Sequence, residues 1–149
     1  MIKKILTILL VLLFLTGCTN KLTINDDQIA VRFDFSQFEG SVMTITFDYG
    51  GKEDLWGLVQ SCRADEKPFS SKEVITQIFE KEDFPEGESL DNCWISMCIS
   101  EILKTDFLLN REGSIECDSP LDISLQWGKV YNVNVVGDYQ SFTLELVNE

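Results

Sequence analysis

Two kinds of hydrophobic pattern divide the chain. An almost uninterrupted apolar run extends from Ile5 to Leu15, and a long region of alternating apolar and polar residues begins near residue 28. Alternation with a period of two is typical of half-buried β-strands. The mostly polar residues 19–27 between the two patterns predict a short linker. We therefore expect a single globular domain, 28–149, behind a separate N-terminal segment and its linker.

The alternating segments predict that the domain is mostly antiparallel β-structure. Glu39–Gly40 and Gly137–Asp138 lie between such segments and predict tight turns, the first of which closes a hairpin. Residues 110–113 form a further predicted turn. The predicted strands occupy 29–35, 42–47, 55–59, 107–109, 114–117, 123–127, 131–135 and 142–146.

One segment in the middle of the domain has the signals of a helix. Ser70 and Glu73 have the spacing of a capping box, and Phe69 with Val74 has that of a hydrophobic staple. Pro and Gly residues follow and would end the helix. The spacing therefore predicts a helix over 71–82. Its apolar face would consist of Val74, Ile75, Ile78 and Phe79.

Residues 93–103 fit either a helix or a strand. Apolar residues recur at helical spacing from 94 to 103, whereas those from 95 to 99 also alternate as in a strand. The strand interpretation would turn Glu101 toward the core, so the helix is favoured. The predicted fold class is thus α+β, a mostly antiparallel sheet or sandwich with one or two inserted helices. The alternative is an all-β sandwich of immunoglobulin-like kind.

The N-terminal apolar run has the parts of an export signal. Lys3 and Lys4 precede it, and its eleven residues from Ile5 to Leu15 are too few for the roughly 20 that a transmembrane helix needs. Leu15-Thr16-Gly17-Cys18 follows directly. This tetrapeptide resembles the lipobox of bacterial lipoproteins, in which Leu, a small residue and Gly or Ala precede an invariant Cys. The resemblance covers residues 1–18.

The resemblance to lipoprotein precursors implies a lipid anchor at Cys18. Residues 1–17 would be the signal peptide, cleaved before Cys18, whose thiol would carry a diacylglycerol and whose new amino group would carry a fatty acyl chain such as palmitate. Two or three acyl chains hold a protein on a bilayer, whereas one binds only marginally. The expected location is the extracytoplasmic side of the cell envelope. Thr19 and Asn20 after the cysteine are compatible with outer-membrane sorting in a Gram-negative cell.

The charge of the chain limits its partners. Its formal net charge is -13, and cleavage would remove Lys3 and Lys4, leaving 10 basic residues against 25 acidic ones and a net charge of -15. Such a domain repels nucleic acid and anionic headgroups. A negative field favours a cationic partner, although a solvated acidic surface that keeps the protein soluble is the favoured explanation of the charge.

Four cysteines remain once Cys18 is assigned to lipid. An even number in an exported domain favours disulfides, and Cys62 with Cys93 and Cys98 with Cys117 are the expected pairs. In a helix, Cys93 and Cys98 would point about 140° apart, which disfavours a bridge between them. Four free, buried thiols are the alternative.

The chain contains no histidine, and this removes much catalytic chemistry. Ser-His-Asp and Cys-His sites and histidine-ligated metals are excluded, and the cysteine spacings do not resemble a zinc site. We therefore expect no catalytic residues, no metal and no cofactor. The acidic residues from 82 to 91 are expected to form a solvated loop. The aromatic residues Trp56, Trp94, Trp127, Tyr131 and Tyr139 could form a sugar or peptide platform but are expected to pack in the core or to be partly buried.

Three classes of function fit these features. The favoured one is a non-enzymatic, lipid-anchored envelope protein whose acidic domain binds, and possibly inhibits, a cationic protein. The others are an accessory subunit of an envelope assembly and a carboxylate-based hydrolase.

Overall fold

The computed structural model describes residues 22–52, 54–69, 71–103 and 111–147. Cys18, the predicted signal peptide 1–17 and the predicted strand 107–109 lie outside these ranges. Two short 3-10 helices, Lys81–Asp83 and Leu90–Asn92, accompany the strands. The strands are β1 (Ile29–Glu39), β2 (Thr44–Gly51), β3 (Asp54–Cys62), β4 (Val74–Phe79), β5 (Cys93–Ser100), β6 (Ile115–Glu116), β7 (Leu121–Ile123), β8 (Val130–Asp138) and β9 (Phe142–Leu146).

These strands form two sheets. The first has the order β4-β1-β8-β9, and the second has the order β3-β2-β5-β6, with β7 paired to β5. All pairings are antiparallel except that of β1 with β8, which is parallel. The first sheet is therefore mixed, which the sequence patterns do not indicate.

The two sheets share one hydrophobic core. Phe33 of β1 and Phe47 of β2 stack with their ring centroids 4.6 Å apart, which joins the inner faces of the two sheets. Along β1, Ile29, Val31 and Phe33 are buried on this inner side. The regular alternation of apolar residues in β1, β8 and β9 thus has its expected cause, a face that is removed from water.

The predicted hairpin at Glu39–Gly40 is wrong. β1 and β2 belong to different sheets, so the chain crosses the sandwich between them. Gly40 has φ 144°, and a Cβ atom at this position would lie 2.8 Å from the ring of Tyr139. The glycine therefore permits a crossing beneath this ring, and it does not form a two-residue hairpin turn.

The predicted helix over 71–82 is also wrong, because this segment contains strand β4. Ile75 and Phe79 lie opposite Phe33 and Ile29 of β1, where they add to the inner face. Glu73, which was expected to cap the helix, forms an ion pair with Arg63. The β-branched residues of the segment satisfy a strand equally well, and the edge of β1 provides the tertiary contact that decides between the two structures.

The favoured helix over 93–103 is wrong as well, and the strand interpretation holds. β5 pairs with β2 on one side and with β6 and β7 on the other. Residues on both of its faces are buried, including Met97 and Cys98. A strand buried on both faces loses its alternation, which explains the ambiguous pattern. β5 ends at Ser100, so Glu101 is exposed and does not enter the core.

The structure confirms the β-rich character of the domain but shows no α-helix in the described residues. Within the same ranges, no helix is long and apolar enough to cross a membrane. The β-sandwich alternative is the better description. Its strand order differs from that of immunoglobulin domains, since β1 is a central strand and pairs in parallel with β8.

Candidate binding cleft

An open cleft with an aromatic floor lies at one end of the sandwich. Phe84, Leu90 and Trp127 form its apolar floor, and its volume is about 460 Å³. We call it the Phe84–Trp127 cleft. The two aromatic residues are only partly buried, so their outer surfaces are accessible from the cleft.

A cluster of aromatic rings fixes the position of the floor. The ring centroid of Phe84 lies 5.4 Å from that of Trp127 and 5.8 Å from those of Trp56 and Phe79. Tyr49 contacts both Phe79 and Phe84. Edge-to-face contacts of this kind stabilise defined ring orientations. The floor is therefore an extension of the core and is held rigidly.

Hydrogen bonds hold the segment that carries Phe84. The Tyr49 hydroxyl donates to the carbonyl oxygen of Asp83 at 3.1 Å, and the Glu80 amide donates to the Asp83 carboxylate at 2.7 Å. Burial, and secondly the charge of Asp83, raises the pKa of Tyr49, so the hydroxyl remains a donor at neutral pH. On the other side, the Leu125 amide donates to the carbonyl oxygen of Leu90 at 2.8 Å.

Carboxylates surround this apolar floor. Glu82, Glu86 and Glu88 line the cleft and are exposed, whereas Lys81 is the only basic residue that lines it. Gly87, at φ 85°, lies between two of the glutamates and adopts a left-handed conformation that suits glycine. We call the three glutamates the acidic rim. The predicted solvated loop is thus exposed, but it also forms the wall of a cleft.

The chemistry of this arrangement favours a basic side chain as its ligand. Aromatic faces attract a lysine or arginine cation within about 6 Å of the ring, and carboxylates neutralise its charge. The long alkyl part of such a side chain also packs on apolar surface. An anionic ligand would face three carboxylates and one ammonium group, that of Lys81, and a purely apolar ligand would leave the carboxylates without a partner.

The four predicted disulfide cysteines are free thiols in the structure, and the predicted pairs are not brought together. Cys62 lies opposite Thr44 of β2, whereas Cys93 lies opposite Gly51, seven positions further along the same strand. At 3.3 Å per residue this separation is about 23 Å. A bridge requires Cα atoms within about 7 Å of each other.

The second predicted pair lies closer but is not bridged either. The sulfur of Cys117 lies beside β5, where the Met97 amide donates to it at 3.4 Å and the Ser96 hydroxyl lies 3.4 Å from it. The Cys98 thiol donates to the hydroxyl of Ser114 at 3.1 Å. The two sulfurs therefore have different hydrogen-bond partners.

Near Cys98, the outer face of the second sheet carries a partly buried ion pair. Arg111 donates to both carboxylate oxygens of Asp48, at 2.6 and 2.8 Å, and also contacts Glu116 at 3.3 Å. These bonds, to Asp48 above all, raise the pKa of Arg111 above its usual range. The group is a structural contact between strands. The described residues contain no cluster of three or more side chains able to bind a metal ion.

Four of the five aromatic residues singled out from the sequence pack against the core, and the fifth, Trp94, is partly buried on another face. Trp56, Trp127, Tyr131 and Tyr139 contact the core, and the Tyr139 hydroxyl also donates to the carbonyl oxygen of Ser41 at 2.7 Å. Trp94 is absent from this core cluster and lies on the outer face of the second sheet. Sequence patterns could not distinguish these positions, because the segment around Trp94 is apolar on both faces.

The Phe84–Trp127 cleft was missed by the sequence because its members are distant in the chain. Phe84 follows the first 3-10 helix, and Trp127 lies between β7 and β8. The sequence offered only a weak signal for this cleft, namely an aromatic residue, Phe84, within a run of carboxylates. Only the pairing of the strands brings the two rings together.

Comparisons with known proteins give little information about this chain. No protein-family model and no curated protein sequence matches it. Among solved structures, it resembles the human-specific toxin intermedilysin, with 11% identity and a TM-score of 0.38, over 82% of this chain and 23% of the toxin. It also resembles a disulfide-locked intermedilysin mutant with human CD59, with 11% identity and a TM-score of 0.37, over 80% of this chain and 24% of the mutant. A third is pneumolysin, with 11% identity and a TM-score of 0.35, over 82% of this chain and 24% of pneumolysin. The chain thus spans about a quarter of the length of these toxins. Similarity at these TM-scores carries no argument about fold or function.

Proposed function

We propose that this protein is a lipid-anchored lipoprotein of the bacterial cell envelope whose acidic domain binds, and thereby inhibits or neutralises, a cationic protein. The Phe84–Trp127 cleft is the observation that supports this proposal. Its aromatic floor and acidic rim match a lysine or arginine side chain in both shape and charge. A basic side chain of the partner enters the cleft and is bound without catalysis.

The net charge of the domain assists this encounter. After cleavage at Cys18 the chain carries 10 basic and 25 acidic residues, a net charge of -15. A field of this sign raises the association rate with a cationic protein and repels anionic ones. The acyl chains on Cys18 keep the domain at the membrane, so the partner is captured at the envelope surface.

The proposal is tested with acetylated tetralysine as a minimal basic ligand. The full chain, purified in a non-ionic detergent, is titrated calorimetrically with this peptide at low salt, and tetraglutamate serves as the negative probe. The rim variant Glu82→Gln, Glu86→Gln, Glu88→Gln should bind tetralysine at least about tenfold more weakly, because it loses the counter-charges of the cleft.

A second triple variant controls for net charge. Glu39→Gln, Glu66→Gln, Glu145→Gln makes the same change of three charges at exposed positions that do not line the cleft. We expect it to retain most of the affinity for tetralysine. Equal losses in the two variants would assign binding to the general field of the domain, and no binding by the wild-type protein would contradict the proposal.

A further inference from the structure

Trp94 lies on the outer face of the second sheet, away from the hydrophobic core. It lies opposite Gly50 of β2 on one side and opposite Asp122 of β7 on the other. Residues directly opposite one another on one face have Cβ atoms about 5 Å apart. Leu55 of β3 continues this row beyond Gly50, and its side chain is 54% exposed.

Gly50 allows the indole to lie on the sheet. A Cβ atom at Gly50 would lie 2.7 and 2.9 Å from two atoms of the Trp94 ring, and 1.9 Å from the carbonyl oxygen of Asp54. Any larger residue at this position would therefore lift the ring. With one side of the indole resting on the backbone of β2, its other side is turned toward solvent, and Trp94 is only partly buried.

Two open grooves meet at this indole. Their volumes are about 440 and 520 Å³, and both are lined by Lys52, Trp94 and Asp122. Asn92 lines the first groove, and Ser119 lines the second. Neither groove shares a lining residue with the Phe84–Trp127 cleft. We call this pair of grooves the Trp94 groove.

The turn that carries Lys52 is firmly positioned. Lys52 lies in the hairpin between β2 and β3, where Gly51 and Asp54 pair with each other. Lys52 has φ 52°, the left-handed conformation that such hairpins require and that Asn or Gly usually supplies. Its amide donates to the carbonyl oxygen of Asn92 at 3.1 Å. This hydrogen bond links the hairpin between β2 and β3 to the segment that precedes β5.

The polar groups around the indole differ from those of the acidic rim. They include the ammonium group of Lys52, the carboxylates of Asp91 and Asp122, and amide and hydroxyl groups that both donate and accept. In the groove of about 520 Å³ the charges of Lys52 and Asp122 balance, which favours neither a cationic nor an anionic ligand, and the net charge of the domain further disfavours an anionic one. Sugar hydroxyls both donate and accept hydrogen bonds, and the C–H face of a pyranose ring packs on an aromatic plane.

We propose that the Trp94 groove binds a neutral oligosaccharide. One sugar ring stacks on the exposed face of Trp94, and Lys52 and Asp122 bind its hydroxyls. The two grooves, one on each side of the indole, hold the neighbouring sugar units. This site is independent of the Phe84–Trp127 cleft and of the cationic partner proposed for it.

The test uses three neutral tetrasaccharides as probes: chitotetraose, cellotetraose and maltotetraose. The full chain is purified in a detergent without a sugar headgroup, and each probe is titrated up to about 10 mM by calorimetry, a range that covers single-site affinities of weak ligands. We expect at least one probe to bind. Trp94→Ala should weaken this binding at least about tenfold, since a central aromatic residue is removed. Asp122→Ala, at an exposed position, should weaken it about threefold and guards against a folding defect in the tryptophan variant.

Leu58→Ala is the matched control, because Leu58 is an exposed apolar residue of β3 that does not line the groove. It should leave binding unchanged. No binding of any tetrasaccharide to the wild-type protein would overturn the proposal, as would binding that Trp94→Ala and Asp122→Ala leave intact. Binding of acetylated tetralysine that depends on Trp94 would also overturn it, since the groove would then be a site for cationic peptides.

Discussion

The Arg111–Asp48 ion pair differs from the Arg63–Asp65 pair in its exposure to water. The side chains of Arg111 and Asp48 are 25% and 19% exposed, and those of Arg63 and Asp65 are 33% and 41% exposed. Both pairs are bidentate, and less water screens the first one. The two pairs thus offer a comparison of similar groups in different surroundings.

We predict that Asp48→Ala lowers the free energy of unfolding by about 1.5–3 kcal/mol, because the Arg111 guanidinium loses a charged hydrogen-bond partner. Asp65→Ala should lower it less, because water screens this exposed ion pair. Urea denaturation of both variants measures the difference. Equal costs in the two variants would contradict the structural role assigned to the Arg111–Asp48 pair.

At the scale of single elements, β4 is a segment whose hydrophobic pattern predicts a helix although the structure has a strand. In this strand Ile75 faces the core side, whereas Ile78 faces outward and is 38% exposed. In the predicted helix over 71–82 both residues would lie on the same buried face. The two structures therefore differ in the burial of Ile78.

We predict that Ile75→Ala destabilises the protein by about 2 kcal/mol, since it removes side-chain volume from the margin of the core. Ile78→Ala should cost less than about 1 kcal/mol because its side chain is partly in water. Chemical denaturation gives both values. Equal, large losses in the two variants would favour the helix and contradict the strand.

Strands with one buried face could be predicted, and the others could not. β1, β8 and β9 alternate clearly because the inner face of each contacts the core and the outer face contacts a more polar surface. β5 is buried on both faces, so its pattern resembles that of a buried helix. The parallel pairing of β1 with β8 joins segments from opposite ends of the domain, and no local signal specifies it.

The candidate sites depended still more on tertiary structure. The sequence identified the carboxylates and the aromatic residues but could not associate Phe84 with Trp127. It also could not separate Trp94 from the tryptophans that pack against the core. Gly50 leaves room for the Trp94 ring because it has no side chain, but this relation exists only once β2 and β5 are paired.

At the scale of the whole molecule, buried acidic groups make the fold sensitive to alkaline pH. Burial, and secondly the charge of Asp91, raises the pKa of the Cys93 thiol to about 11. Burial also raises the pKa of Cys98, Tyr49, Tyr131 and Tyr139. These groups stay protonated in the folded protein at pH values where the unfolded chain has begun to lose protons.

We predict that stability changes little between about pH 7 and 9, the usual cysteine pKa, and falls between about pH 9 and 11. In this window the unfolded state binds fewer protons than the folded state, so raising the pH favours unfolding. Thermal denaturation should show that Tm falls by the order of 5 °C across this window, and Cys93→Ala should make Tm depend less on pH. A Tm that rises across this window would contradict the prediction.

The lipid anchor proposed for Cys18 also belongs to the scale of the whole molecule. We predict that Cys18→Ala abolishes labelling by radioactive palmitate and removes the acyl chains that hold the domain on the bilayer. Cys62→Ala is the control, since Cys62 is exposed in the domain and should leave labelling unchanged. Labelling that persists in Cys18→Ala would refute the lipobox interpretation.

The central claim is that the acidic rim of the Phe84–Trp127 cleft selects a cationic partner at the cell envelope. The most direct measurement is affinity capture from envelope extract with three immobilised forms of the protein: the wild type, the rim variant of Glu82, Glu86 and Glu88, and the charge-matched variant of Glu39, Glu66 and Glu145. We predict that the wild type and the charge-matched variant retain the same basic protein and that the rim variant does not. Retention of an identical set of proteins by all three forms, or of a stable assembly without a basic member, would contradict this claim.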